Sequence, residues 1–332
     1  MPKTTQELNV REVTGDPLIP TIFHEAWWLE AATHGQWEEV TVSLGGQTVG
    51  RLPFRRKRRL GMTACGMPDL VHFLGPAINE GTGGPGTRAL RRDQITRDLI
   101  RKLPRLDHFS QPFHGGVPDT LSFLHEGFQT TVGFTIELAP APEEMLWRCL
   151  RDKTRNVIRR AREQTQLIDL SPEEFIGHYE ANLRARGRVN HMFNAEAGTA
   201  VCKAALERKR GRLLAAKSTT GTVAAAIFYV WDDRASHYLL TTRTPDAHNG
   251  CVSRLIWEAI RDSASEGRIF DFGGVASRGA SLLYSGFGGE VRPRYQVTRT
   301  SLRYAAARKA FMFAQDKMRL IRGLKPAQDC YE

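Results

Sequence analysis

The side chains with the most legible chemistry in this 332-residue sequence are cations. Arg148, Arg151, Arg155, Arg159 and Arg162 recur at intervals of three and four, rotated by one residue from an apolar stripe of Trp147, Leu150, Val157, Ile158 and Ala161. That spacing predicts a helix from Pro142 to Gln166 with one packed face and a cationic ridge beside it. Lys153 and Arg160 lie next to the ridge. Like charges one turn apart repel by roughly 0.2–0.5 kcal/mol per pair. The ridge therefore either meets an anion, phosphate above all, or pairs with acids elsewhere in the chain. The run Arg55-Arg56-Lys57-Arg58-Arg59 carries the same pair of readings, a solvated loop or a place for phosphates.

Composition narrows the field. A net charge of +11 and a pI near 9.7 suit an anionic partner, nucleic acid included, or equally solubility alone; the clustering of the cations favours the partner. Hydrophobic content of 41% is that of a globular chain, and the length fits about two domains. There is no apolar run long enough to span a bilayer, and MPKTTQELNVREV is too polar for a signal peptide, so the expected location is the cytoplasm. Five scattered cysteines without a CxxC pair argue against a disulfide framework or a zinc site, and no P-loop or HExxH motif is present. No metal or cofactor is expected.

The elements that must position any site centre on residues 236–274. Ser236 to Thr242 reads as a strand, Val252, Leu255, Ile256, Ala259 and Ile260 as one face of a helix, and Arg268 to Phe272 as a second strand. Gly267 closes the helix. Two strands joined through a helix are parallel neighbours, and the loop at 243–251 sits where helix amides can hold an anion. Upstream, a short helix over Ile22 to Thr33 precedes a hairpin of Glu39 to Leu44 and Thr48 to Leu52. Residues 60–86 read as irregular, with a helix over Thr87 to Lys102 and strands Arg105 to Phe113 and Thr130 to Leu138. Downstream come helices Pro172 to Arg186 and Ala195 to Arg210, a hairpin of Leu213 to Lys217 with Val223 to Trp231, a strand at Pro293 to Thr298 and an amphipathic helix from Leu302 to Leu324. That last helix suits a membrane surface or, more commonly, packing on the protein itself. The fold class is α/β (α+β), with domains at 1–141 and 142–299 and a C-terminal helix and tail at 300–332 that packs on the first domain.

Three stretches together resemble the FemAB-type peptidyl transferases and their BioF2-like and CelD-like relatives. LRDKTRNVIRRAREQ resembles the family's K-x-R-x-x-I-R-x-A signature; GTVAAAIFYV, SHYLLTT, LIWEAIRDSASEG and FDFGG resemble its central sheet; SGFGGE resembles its F-G-G terminus. The resemblance runs from about residue 20 to 298. It implies tandem GNAT-like domains with mixed central sheets and transfer of an acyl group, often aminoacyl from aminoacyl-tRNA, onto an amine. Three positions depart from the pattern: Leu283 and Tyr284 stand where the family commonly has F-K, and Asn79 stands where an Asp follows G-P-x-x. A phenol can donate one hydrogen bond but brings no charge.

Acyl transfer to an amine needs a site for the oxyanion and a route for the proton. Under this resemblance the backbone of Leu240, Thr241 and Thr242, splayed from its neighbour, receives the carbonyl with Tyr284 as a side-chain donor, and Asp271 or His237 moves the proton. Lys153, Arg155, Arg159 and Arg160, with Arg55, Arg56 and Arg58, hold the donor's phosphates. Asn79, His108, Arg186, Asn190 and Tyr238 hold the acceptor. The co-substrate is aminoacyl-tRNA or, alternatively, acyl-CoA; a non-catalytic RNA- or ligand-binding relative is the third reading. The partners expected are tRNA and a small amine-bearing substrate, on a monomer with no membrane span.

Overall fold

The computed structural model describes residues 15–187, 193–248 and 250–321. A 3-10 turn at Ile22–His24 and helix α1 (Ala26–Thr33) precede strands β1 (Glu38–Leu44), β2 (Gln47–Arg59), β3 (Met62–Gly66) and β4 (Ala77–Ile78). Helix α2 (Pro85–Lys102) leads to β5 (His108–Pro112), and α3 (Leu121–His125) to β6 (Gln129–Leu138). Then follow α4 (Glu143–Cys149), α5 (Asp152–Gln164), β7 (Thr165–Asp169), α6 (Pro172–Ala185), α7 (Ala195–Glu207), β8 (Gly211–Ser218), β9 (Val223–Trp231) and β10 (Ala235–Arg243). The chain closes with α8 (Gly250–Ser265), β11 (Ile269–Asp271), α9 (Arg278–Tyr284), a 3-10 turn at Ser285–Phe287, β12 (Glu290–Thr300) and α10 (Leu302–Ile321).

The described strands form one mixed sheet in the order β1-β2-β3-β5-β12-β6-β11-β10-β9-β8-β7, with β4 beside β2. The late strand β12 is inserted between β5 and β6 of the first half. Conversely α1, which precedes every strand, packs against α7 and shares a core with β8, β9 and β10. Helix α8 fills the other face of the second half: Leu255, Ile256, Trp257, Ala259 and Ile260 are all buried, each large side chain contributing about 1.5–3 kcal/mol. As the sequence implies, β10 and β11 are parallel neighbours, and Gly267 ends α8 with a φ of 72°.

Three local readings change. The predicted helix over 142–166 is two helices, broken at Leu150–Arg151 although neither residue is a breaker. Arg155 donates to the carbonyls of Trp147, Arg148 and Leu150, and the Arg151 N–H donates to Gly286 O at 3.0 Å, so tertiary contacts set the break. The Arg55–Arg59 run is not a loop but the end of β2, paired with β3. The stretch 60–86 is partly regular, holding β3 and β4. It also includes Gly81-Thr82-Gly83-Gly84-Pro85-Gly86, which has the G-x-G-x-x-G spacing and opens α2. The strand before it, β4, has two residues and pairs antiparallel with β2, so the βαβ context of a dinucleotide site is missing. Helix α10 meets the first half at its start: Arg303 pairs with Asp107 at 2.8 Å and Tyr304 stacks on His108, while Phe311, Met312 and Phe313 remain exposed.

The F-G-G stretch is a packing requirement. Gly288 has a φ of 80°, and a Cβ there would sit 2.5 Å from Cys149 O; a Cβ on Gly289 would sit 2.7 Å from Glu137 O. Both neighbours are backbone and cannot swing away. Gly288→Ala should therefore lose about 2–4 kcal/mol of unfolding free energy in urea titrations. Gly45→Ala, at a φ of 57° with nothing within 4 Å, should lose only about 1 kcal/mol.

Candidate active site

Strand β11 has three residues and β10 has nine. They pair only at Ala235–Ile269, Ser236–Phe270 and His237–Asp271, after which β10 runs on to Arg243 with no strand partner on that edge among the described residues. Its register against β9 shifts between Tyr238 and Leu240, which leaves Leu239 as a bulge at the point of parting. Gly273 and Gly274, at φ of 75° and 141°, turn the chain away; a Cβ on Gly273 would meet His72 Nδ1 at 2.1 Å and Tyr238 O at 3.2 Å. The gap opens as a cleft of about 440 Å³ walled by both halves, with His72, Phe73 and Phe134 from the first and Tyr238, Thr241, Phe272 and Tyr284 from the second.

Behind the cleft lies a buried chain of charges. His237 Nε2 is 3.2 Å from Asp232 Oδ2, and its Nδ1 is 3.8 Å from Asp271 Oδ2, outside hydrogen-bond reach but well within Coulomb range. Asp271 accepts from Thr135 Oγ1 at 2.5 Å, from the Gly273 N–H at 2.8 Å and from Arg294 at 3.3 Å, and Arg294 also pairs with Glu137. Burial alone would lower the imidazole pKa of His237, but the two carboxylates prevail and push it up to about 9. Burial likewise opposes the Asp271 carboxylate, yet His237, Arg294 and Thr135 hold it well below the usual range.

This arrangement sorts the sequence candidates. Asp271 and His237 are each 2% exposed and lie beneath the wall, not on it. A proton acceptor must reach the amine, so both are placed to hold the Gly273 turn and the strand junction. Tyr238 and Tyr284 do line the cleft, with rings 6.0 Å apart, and Tyr284 stacks on Phe272 at 4.2 Å. The Tyr238 hydroxyl is buried beside Thr241 with no well-formed hydrogen bond among the described residues, and burial raises both phenols' pKa values. Of the β10 residues, Thr241 faces the cleft, Thr242 accepts from Asn182 at 2.9 Å, and Leu240 packs on the opposite core.

The other candidates are dispersed. On α5, Lys153, Arg159 and Arg160 are exposed, Arg159 lying over Trp147 at 5.6 Å, whereas Arg155 is occupied with the α4 carbonyls. The start of α5 abuts the turn after Tyr284, where a Cβ on Gly286 would touch Thr154 Oγ1 at 2.5 Å. Arg55, Arg56 and Arg58 are six strand steps from β10, about 30 Å at strand spacing, and Arg56 is paired with Glu38. His108 stacks on Tyr304 at the end of β5 away from the cleft; Asn79 accepts from the Gly81 N–H; Arg186 donates to Arg243 O at 2.8 Å. Asn190 lies outside the described residues. At the start of α8, His248 takes the Gly250 N–H through its ring and the Cys251 N–H through its carbonyl, so two of the amides expected to hold an anion are engaged.

Sequence reasoning missed His72, Phe134 and Arg294. Half-buried His72 makes no hydrogen bond to any described residue, its Nδ1 is covered, and burial followed by repulsion from His237 lowers its pKa to about 4, so it stands neutral in the cleft wall. The only signal was one polar residue in the apolar run Val71-His72-Phe73-Leu74. Among the described residues no cluster of His, Cys, Asp or Glu could hold a metal ion, and no helix is long and apolar enough to cross a membrane.

Comparison with known proteins agrees with this geometry. Residues 148–281, from the end of α4 into α9, match the model of the acetyltransferase (GNAT) domain family, which supports an acyltransferase. Across both halves it shares the fold of FemX, at a TM-score of 0.60 and 11% identity over 81% of this chain and 90% of that one. The C-terminal domain of an Agrobacterium fabrum protein assigned as a lysylphosphatidylglycerol synthetase superposes at 0.55, with 13% identity over 85% and 90% of the two chains. A Bacteroides thetaiotaomicron protein of unknown function superposes at 0.53, with 11% identity over 83% and 89%. No curated protein matches in sequence.

The buried charges make stability depend on pH in a defined sense. His237 keeps a proton in the folded state that the unfolded chain releases near pH 6.5, so its contribution is complete below about 6.5 and disappears as pH rises through about 9, on the order of 3 kcal/mol in all. His24, His72 and His114, all lowered by burial first, act on the other side: stability is lost as pH falls below about 6.5. Urea titrations at pH 5, 7 and 9.5 should show an optimum near 7, and His237→Gln should flatten the alkaline limb.

Proposed function

We propose that the cleft transfers an aminoacyl group from aminoacyl-tRNA to the amine of a small metabolite or cell-envelope precursor. The observation that carries this reading is the parting of β10 from β11: it frees main-chain groups beside two phenols at a junction of the two halves. In the step proposed, the amine attacks the ester carbonyl, a C–N bond forms as the C–O bond to the tRNA ribose breaks, and the amine proton leaves with the ribose hydroxyl. The backbone at Leu239 to Thr241 and the Tyr284 hydroxyl stabilise the oxyanion. Lys153, Arg159 and Arg160 on α5 take phosphates of the acceptor stem, and the Arg55–Arg59 edge, about 30 Å away, suits only a large polyanion reaching across the sheet. We place the protein in the cytoplasm as a monomer, with residues 1–141 and 142–299 as two GNAT-like units sharing one sheet and 300–332 as an appended helix and tail.

Acyl-CoA is the second donor considered, favoured by the GNAT domain match. Against it stands the α8 N-terminus, where His248 occupies the first amides and a Cβ on Gly250 would lie 2.2 Å from Val157 O. That leaves little room for a pyrophosphate at the helix start.

Labelled amino acid from a charged tRNA pool should appear on an amine nucleophile, and ribonuclease pretreatment should abolish the transfer. Transfer indifferent to ribonuclease, with thermal stabilisation by acyl-CoA, would establish the second donor instead. Given turnover, Tyr284→Phe should lower kcat about 10²-fold. Joint replacement of Lys153, Arg159 and Arg160 by Ala should mainly raise KM for tRNA and reduce its log–log salt slope by about 2.

A further inference from the structure

One face of the sheet carries an apolar strip that no helix among the described residues covers. By register, Thr130, Val132, Phe134 and Ile136 on β6 stand opposite Val297, Tyr295, Pro293 and Val291 on β12, so all eight share a face. At one end Val297 is buried under Phe123 of α3; at the other Ile136 is buried with Trp257 of α8. Between these two helical layers Val132 is 49% exposed, Phe134 52% and Val291 61%, with Pro293 exposed beside them. Apolar residues on interior strands of a sheet are ordinarily covered; here the covering stops for a stretch roughly 14 Å long and two strands wide.

The strip is continuous with the active cleft, because Phe134 belongs to both. The cleft itself is walled by rings and presents no carboxylate: Arg294 is its one charged lining residue, and it is already engaged by Glu137 and Asp271. An acceptor held there gains little from further charges and much from apolar contact. We infer that the amine acceptor is an amphiphile, with its amino group in the cleft and an aliphatic chain laid along the Val132–Phe134–Val291 strip. This rests on the acyl-transfer reading of the cleft and adds to it the class of acceptor.

The test is isothermal titration of the full chain with primary alkylamines from ethyl to decyl, below their micelle-forming concentrations, alongside transfer assays with the same amines. Each methylene reaching the strip should strengthen binding by about two- to fourfold. Val132→Asp with Val291→Asp should cut decylamine affinity at least tenfold and leave ethylamine binding unchanged. The milder Val132→Thr with Val291→Thr, which keeps strand propensity, should cut it severalfold, and Leu44→Asp, at an exposed apolar residue on β1, should do nothing. Affinity independent of chain length, or a decyl preference that survives both double variants, overturns the assignment. A chain preference without transfer to any amine keeps the strip and sinks the transferase reading; transfer to ethylamine with no chain preference does the reverse.

Discussion

The structure turns on one buried carboxylate. The sheet runs from the first half into the second at β6 and β11, which meet in two residue pairs, Phe270 with Leu138 and Asp271 with Glu137, next to the inserted β12. Asp271 stands at that seam with partners from both sides: Thr135 of β6, Arg294 of β12, the Gly273 amide that begins the turn, and His237 across the parallel pair. An isolated buried carboxylate would be prohibitively costly. Its cost is offset here only while strands from both halves remain in register, so the group that ends β11 also fixes how the halves meet.

From that constraint the cleft follows. Because β11 stops at Asp271 and Gly273 turns out, β10 continues with that edge unpaired among the described residues while β9 holds the other, and the Leu239 bulge lies at the opening. The wall is then supplied by whatever stands across the seam, which is aromatic and uncharged apart from Arg294. The charges near the site are locked behind the wall, and the polar atoms that face it or lie just under it, His72 and the Tyr238 hydroxyl, are neutral. Under the acyl-transfer reading, such a wall offers a developing charge dipoles, Tyr284 among them, and no lysine.

The sequence made the second half legible because its signals are local. The α8 stripe, the closing Gly267 and the β-rich runs on either side specify strand, helix and parallel strand without reference to the rest of the chain. Distance in sequence hid the remainder. Nothing in Glu290–Thr300 says that it inserts between two strands more than 150 residues upstream, since pairing partners are chosen by tertiary packing. Five consecutive cations show no alternation, so the end of β2 read as a loop. For the site, the phenols and the splayed strand were legible from the resemblance, but assigning proton transfer to Asp271 and His237 ignored that titratable residues on interior strands are as readily buried in a charge pair as presented to substrate. His72 was invisible because its stretch has no periodicity of its own.

The most direct test of the account is backbone amide hydrogen exchange on the full chain, with and without an aminoacyl-tRNA whose 3′ ester is replaced by a stable amide. If the activated carbonyl is received by the free edge of β10, exchange should slow across residues 238–242 and 272–276 when the analogue binds. Slowing confined to the Arg55–Arg59 edge, or to the separate cavity beside α2 and α3, with 238–242 unchanged, would contradict it.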